Sequence, residues 1–150
     1  MAALFFVDSN LLLYRRDASE PAKQPLAATW LEALWRTRRG RISLQVLEEF
    51  YFVATHRLRP GLPREEARQE VRELVTWRPL PITASLVAAA WVVEERYRFS
   101  FWDSLIIAAA RESGCRYLLT EDLQGGQEVD GVQVVDPFQC PPEVFGLSVG

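Results

Sequence analysis

Near its amino terminus the chain runs Leu4-Phe5-Phe6-Val7 without a polar residue and then breaks to Asp8-Ser9-Asn10. A strand with one wet face alternates apolar and polar residues, whereas an unbroken apolar run bounded by turn residues suits a strand buried on both faces of a parallel sheet. Further short strand candidates follow at Arg41 to Leu44, Leu80 to Thr83, Tyr117 to Thr120 and Val132 to Val135. Helical stretches lie between them, at about residues 11–16, 24–38, 45–58, 63–77, 84–97 and 101–113. Strands alternating with helices imply right-handed crossovers and helices on both faces of the sheet. The expected fold is a three-layer α/β/α sandwich around a central parallel sheet of about five strands.

A chain of 150 residues can bury a core of that kind without disulfides or a structural metal. No repeat or linker divides it. Its longest near-apolar run, Ala84 to Val93, falls short of the ~18 residues of a membrane span. The amino terminus has no basic segment, and Asp8 interrupts its apolar stretch, unlike a signal peptide. A cytoplasmic protein is expected. Cys115 and Cys140 make no CxxC pair and read as reduced thiols.

The only histidine, His56, excludes chemistry that needs two imidazoles or a zinc site of clustered His and Cys. It sits in the helical stretch FYFVATHRLR with no nucleophile elbow elsewhere, and is expected at a helix end or surface. Polar chemistry is left to carboxylates, which suit hard cations with oxygen ligands.

In open α/β sheets ligands bind beyond the carboxyl ends of the strands. Asp8 follows Leu4 to Val7 there, and Asp122 takes the matching place after Tyr117 to Thr120. Asp8 can equally cap the next helix, and Asp122 can be a loop residue ahead of Gly125-Gly126. Asp103 opens WDSLIIAAA on the face that turns inward, and it also completes an [ST]-x-x-[DE] capping box with Ser100. In the helix over 45–58, Glu49 falls at the edge of the arc formed by Val46, Leu47, Phe50, Val53 and Ala54, while Glu48 lies on the far side. Glu49 is therefore the functional candidate and Glu48 the solvated one. Crowded carboxylates without basic partners hold protons unless a divalent cation neutralises them, so the set points to a metal.

The segments FFVDSNLLLY, SLQVLEEFYFV, SFWDSLIIAAA and LLTEDLQGG, in this order and at these separations, resemble PIN-domain ribonucleases, and among them VapC-type toxins of toxin–antitoxin pairs. The resemblance covers about residues 3–136. It implies a five-stranded parallel sheet in which the ends after the first and fourth strands lie side by side. It places the family's acidic set on Asp8, Glu49, Asp103 and Asp122, with Asn10 and Thr120 as supporting polar residues and Glu121 as a neighbour of open role. It implies hydrolysis of RNA phosphodiesters with one or two Mg²⁺ or Mn²⁺ ions held by those carboxylates, a homodimer, and a small antitoxin as partner. The expected domain spans residues 1–137, with 138–150 a tail of unassigned role.

A net charge of −3 runs against the basic footprint of most RNA-binding proteins. Arginines are nevertheless clustered at Arg36, Arg38, Arg39 and Arg41 and at Arg57, Arg59 and Arg64, where they could grip phosphates or simply be solvated. The aromatics Phe50, Tyr51, Phe52, Trp91, Tyr97, Phe99, Phe101 and Trp102 are mainly core, with a partner-facing patch as the lesser reading. Two rivals stand beside the nuclease. One is a non-catalytic PIN module. The other is a haloacid-dehalogenase-like phosphatase, which needs an aspartate where Asn10 stands and a late lysine where Lys23 is the only lysine in the chain.

Overall fold

The structure, a computed structural model, describes residues 2–147; Met1 and the end of the expected tail, 148–150, lie outside the described residues. The elements run β1 (Phe5–Val7), α1 (Ser9–Arg16), α2 (Gln24–Thr37), β2 (Gly40–Arg41), α3 (Leu44–His56), α4 (Arg64–Leu74), a 3-10 turn (Val75–Trp77), α5 (Ala84–Tyr97), α6 (Phe101–Glu112), β3 (Tyr117–Leu119), β4 (Glu128–Val129), β5 (Val132–Val135) and a second 3-10 turn (Pro142–Phe145). The sheet order is β2-β1-β3-β5-β4. Four strands are parallel, and β4 joins the edge antiparallel to β5.

Successive side chains of a strand point to opposite faces. Phe5, Phe6 and Val7 are all fully buried, as are Leu118 and Leu119, so both faces of the sheet are covered and the sandwich has three layers. The helix α6 is buried along Ser104–Ala110, because it lies between the sheet and α5 rather than over the sheet alone.

The six expected helices are present with ends shifted by a few residues. Two strand expectations are corrected. Arg41 to Leu44 stops at Arg41, because Ser43 caps α3 by accepting from the Val46 amide at 3.4 Å and Leu44 is already helical. Leu80 to Thr83 shrinks to a single bridge between Leu80 and Ser43, with Leu80 N–H on the Ile42 carbonyl and Leu44 N–H on the Leu80 carbonyl, both at 3.0 Å. Pro79 and Pro81 flank Leu80 and have no N–H with which to extend the ladder.

Residues after Pro137 close one end of the core. The Trp30 indole N–H donates to the carbonyls of Pro137 and Cys140 at 3.0 and 2.9 Å. Phe145 meets the rings of Phe5, Trp30 and Tyr117, and Leu147 is buried. Cys115 is a buried free thiol whose pKa burial pushes up to about 12, which makes it inert. Among the described residues no helix is long and apolar enough to cross a membrane.

Candidate active site

Parallel pairing of β1 with β3 in register brings the two strand ends together. Val7 stands opposite Leu119, and the Asp8 amide donates to the Leu119 carbonyl at 3.1 Å. Asp8 caps α1, its Oδ1 accepting from the Ser9 amide at 2.7 Å. Its other oxygen, Oδ2, accepts from the Thr120 hydroxyl at 2.8 Å. The capping role and the site role are therefore carried by different oxygens of one carboxyl group.

Thr120 is the hub. Its hydroxyl oxygen also accepts from the Asp122 amide at 3.1 Å and from the Asn10 amide nitrogen Nδ2 at 3.2 Å, while the same Nδ2 donates to Asp122 Oδ2 at 3.2 Å. The reverse orientation of Asn10 would set its oxygen against that carboxylate, so the donor set decides which way the amide lies. On the opposite flank the Ser9 hydroxyl donates to Glu49 Oε2 at 3.0 Å, and Gln45 Nε2 donates to Glu49 Oε1 at 2.9 Å. One hydrogen-bonded chain thus links Glu49, Ser9, Asp8, Thr120, Asn10 and Asp122.

Asp103 stands in the first turn of α6, half-buried, with its amide donating to the Ser100 hydroxyl oxygen at 3.1 Å. Among the described residues it shares no hydrogen bond with the other three acids. Its proximity to them is electrostatic: burial raises its pKa, a hydrogen bond with Ser100 opposes this, and the charges of Asp122 and Glu49 raise it further. Glu48 is exposed, as expected.

Asp8 is 6% exposed. Desolvation raises its pKa from 3.8 to about 7 against the hydrogen bonds from Thr120 and Ser9, with the charges of Asp122 and Glu49 pushing the same way. Among the described residues no basic side chain offsets this. Among the described residues none of the four acids forms an ion pair, although other carboxylates are matched: Glu70 with Arg15 and Arg16, Asp130 with Arg96 and Arg111, and Glu121 with Lys23 at 2.6 Å. Glu121 also accepts from the Tyr14 hydroxyl, which places it in a neutralised cluster of its own.

The donor set suits a hard divalent cation. It is made of carboxylate, amide and hydroxyl oxygens, and the buried Asn10 Oδ1 and Gln45 Oε1 have no hydrogen-bond partner. Among the described residues, however, no group of three or more His, Cys, Asp and Glu side chains is arranged to hold a metal ion. Two participants are not among the expected site residues. Ser9 stands in the turn after β1, and Gln45 lies four residues before Glu49, hence on the same helix face, a spacing that points to it.

A family model described as the PIN domain matches residues 5–128. The chain belongs to the PIN-domain family. The match begins with the first residue of β1 and contains all four acids of the site. PIN domains are generally metal-dependent nucleases, ribonucleases among them, so nuclease chemistry is the activity that this PIN fold carries as a class. No curated protein matches the chain at a significant level.

Proposed function

We propose that the chain is a metal-dependent endoribonuclease that hydrolyses RNA phosphodiesters at the Asp8 cluster, and that it acts as the toxin of a type II toxin–antitoxin pair in the cytoplasm. The observation that carries the nuclease reading is the set of four acids without basic partners among the described residues, in a molecule that pairs its other buried carboxylate, Glu70, with two arginines.

Asp8 and Asp103 are the main candidates to hold Mg²⁺ or Mn²⁺, with Asp122 and Glu49 sharing that work. When bound, such a cation supplies positive charge for a non-bridging phosphate oxygen and lowers the pKa of water. Glu49, held on both oxygens by Ser9 and Gln45, is placed to orient or deprotonate the attacking water. Thr120 and Asn10 position Asp8 and Asp122 through the shared hydroxyl and amide. Trp102, 64% exposed and adjacent to Asp103, offers a face on which an unstacked base can lie.

The toxin reading is supported by a groove of about 470 Å³ between α3 and α4, lined by Leu44, Leu47, Tyr51 and Val71 with charged Glu48, Arg68 and Arg72. It fits an amphipathic segment of an antitoxin. Exposed Trp91 and Val92 on α5 fit a homodimer contact. A non-catalytic PIN module has one observation in its favour, the lack of a three-carboxylate arrangement among the described residues. An RNA cleavage assay separates the two. Cleavage of single-stranded RNA is expected with Mg²⁺ or Mn²⁺, is abolished by chelator, and falls at least ~100-fold in Asp8→Asn and Asp103→Asn with the circular dichroism spectrum unchanged. RNA that is bound and left intact under all conditions assigns the non-catalytic role. For the toxin role, growth arrest on induction should be relieved by a small protein encoded beside the gene.

A further inference from the structure

Arg38, Arg41 and Arg78 surround a cavity of about 430 Å³ that is completed by Trp35, Thr76 and Trp77. It lies beside the edge strand β2, where Gly40 stands opposite Phe5. Arg41, the β2 residue that lines the cavity, stands opposite Phe6, two residues before Asp8, a separation of ~7 Å along the strand at ~3.3 Å per residue. The cavity is a separate place with the opposite charge.

Many arginines of this molecule meet a carboxylate: Arg15 and Arg16 reach Glu70, Arg72 reaches Glu65, and Arg111 reaches Asp130. Around this cavity none does. Arg41 donates to the carbonyls of Arg38 and Gly40 at 3.2 and 2.8 Å, and Arg38 and Arg78 are exposed without an ion pair among the described residues. Three guanidinium groups that share one cavity repel each other. The second observation is independent of charge. Trp77 is 3% exposed, and its indole N–H is buried with no acceptor. Its ring is pressed onto Gly40 so closely that a Cβ there would lie 2.8 Å from it. An oxyanion neutralises the arginines, whose forked donors match phosphate oxygens, and Trp77, which lines the same cavity, stands where it would sense the arriving charge.

We propose that this cavity is a phosphate-binding site and that it holds the RNA backbone a few nucleotides from the bond being cut. The RNA part rests on the nuclease reading; the affinity for phosphate does not. Exposed Arg38 and Arg78 at the rim suit a chain running along the sheet edge, where a closed pocket would suit only a free anion. The site also answers the objection raised by the net charge of −3, because the positive charge is gathered where the backbone would pass.

The test uses the full chain labelled with ¹⁵N-tryptophan, whose five tryptophans give five indole signals, Trp77 being assigned by its loss in Trp77→Phe. Titration with pyrophosphate, and separately with single-stranded RNA in chelator so that nothing is cut, is expected to move the Trp77 signal in the wild type. In Arg38→Gln/Arg78→Gln, which changes only exposed side chains, the shift should vanish and RNA should bind about 10-fold more weakly. The slope of log affinity against log salt should fall by about 1.4, two phosphate contacts at ~0.7 each. A Trp77 signal that ignores both ligands overturns the site, and so does unchanged RNA affinity and salt slope in the double variant. A response to pyrophosphate without one to RNA overturns the RNA assignment. If the Trp77 shift and the arginine dependence hold while added Mg²⁺ produces no cleavage, this site stands and it is the nuclease reading that fails.

Discussion

At the scale of single residues, the central fact is one carboxyl group in the wrong solvent. Asp8 has its two oxygens in hydrogen bonds with Ser9 and Thr120, yet burial and two neighbouring charges still raise its pKa from 3.8 to about 7. The folded chain therefore binds this proton more tightly than the unfolded chain. Without a divalent cation, the contribution of Asp8 to stability should be fully present below pH 4, fall as pH rises from about 4 to 7, and be lost above it, a difference of up to about 4 kcal/mol at ~1.4 kcal/mol per pH unit. Asp8→Asn keeps a capping oxygen but has no proton to lose. Its thermal midpoint in chelator should change little between pH 5 and 8 and should exceed that of the wild type at pH 8. A wild type that loses no more stability than the variant over that range would show that Asp8 is not held as described. Thr120→Val removes the hydroxyl shared by Asp8, Asn10 and Asp122. It should push the Asp8 pKa further up and move the pH profile of cleavage to higher pH, read from the rate against pH at saturating Mg²⁺.

At the scale of elements, much was legible because local rules and tertiary context agree. An apolar run with no alternation became β1, buried on both faces, and acids placed just after strands came to lie at one sheet edge because β1 and β3 pair in register. What was not legible has physical reasons. Leu80 has prolines on both sides, so it bridges to Ser43 instead of forming a strand. Val132 to Val135 forms the expected strand, but its antiparallel partner β4 is not among the expected strands, although Asp130-Gly131 between Val129 and Val132 is a strong hairpin signal; Asp130 and Gly131 both take positive φ, 55° and 88°. The link from Ser9 to Glu49 depends on how α1 sits against α3, which no local pattern encodes, whereas Gln45 reaches Glu49 within α3 at the four-residue spacing of one helix face. The chain end past Pro137 also gains its role only in three dimensions, where Phe145 meets Phe5, Trp30 and Tyr117. Phe145→Ala should lower stability by about 2–4 kcal/mol, measured by urea unfolding. A loss below ~0.5 kcal/mol would mean that this segment does not belong to the core.

At the scale of the whole molecule, charge is divided between two places. Unpaired acids gather beyond the carboxyl ends of β1 and β3, and unpaired arginines gather beside β2. In the proposed function the acids hold the cation and the arginines hold the polyanion. The acidic cluster is the more fundamental, because without a cation its members repel one another and Asp8 retains a proton near neutral pH. The most direct test is anomalous scattering from crystals of the full chain soaked in Mn²⁺ at pH 8. A peak in direct contact with a carboxylate oxygen of Asp8 is expected, and it should vanish in Asp8→Asn crystals. Manganese bound only elsewhere, or no peak beside Asp8 in the wild type, would contradict the assignment of this cluster as the metal-dependent centre.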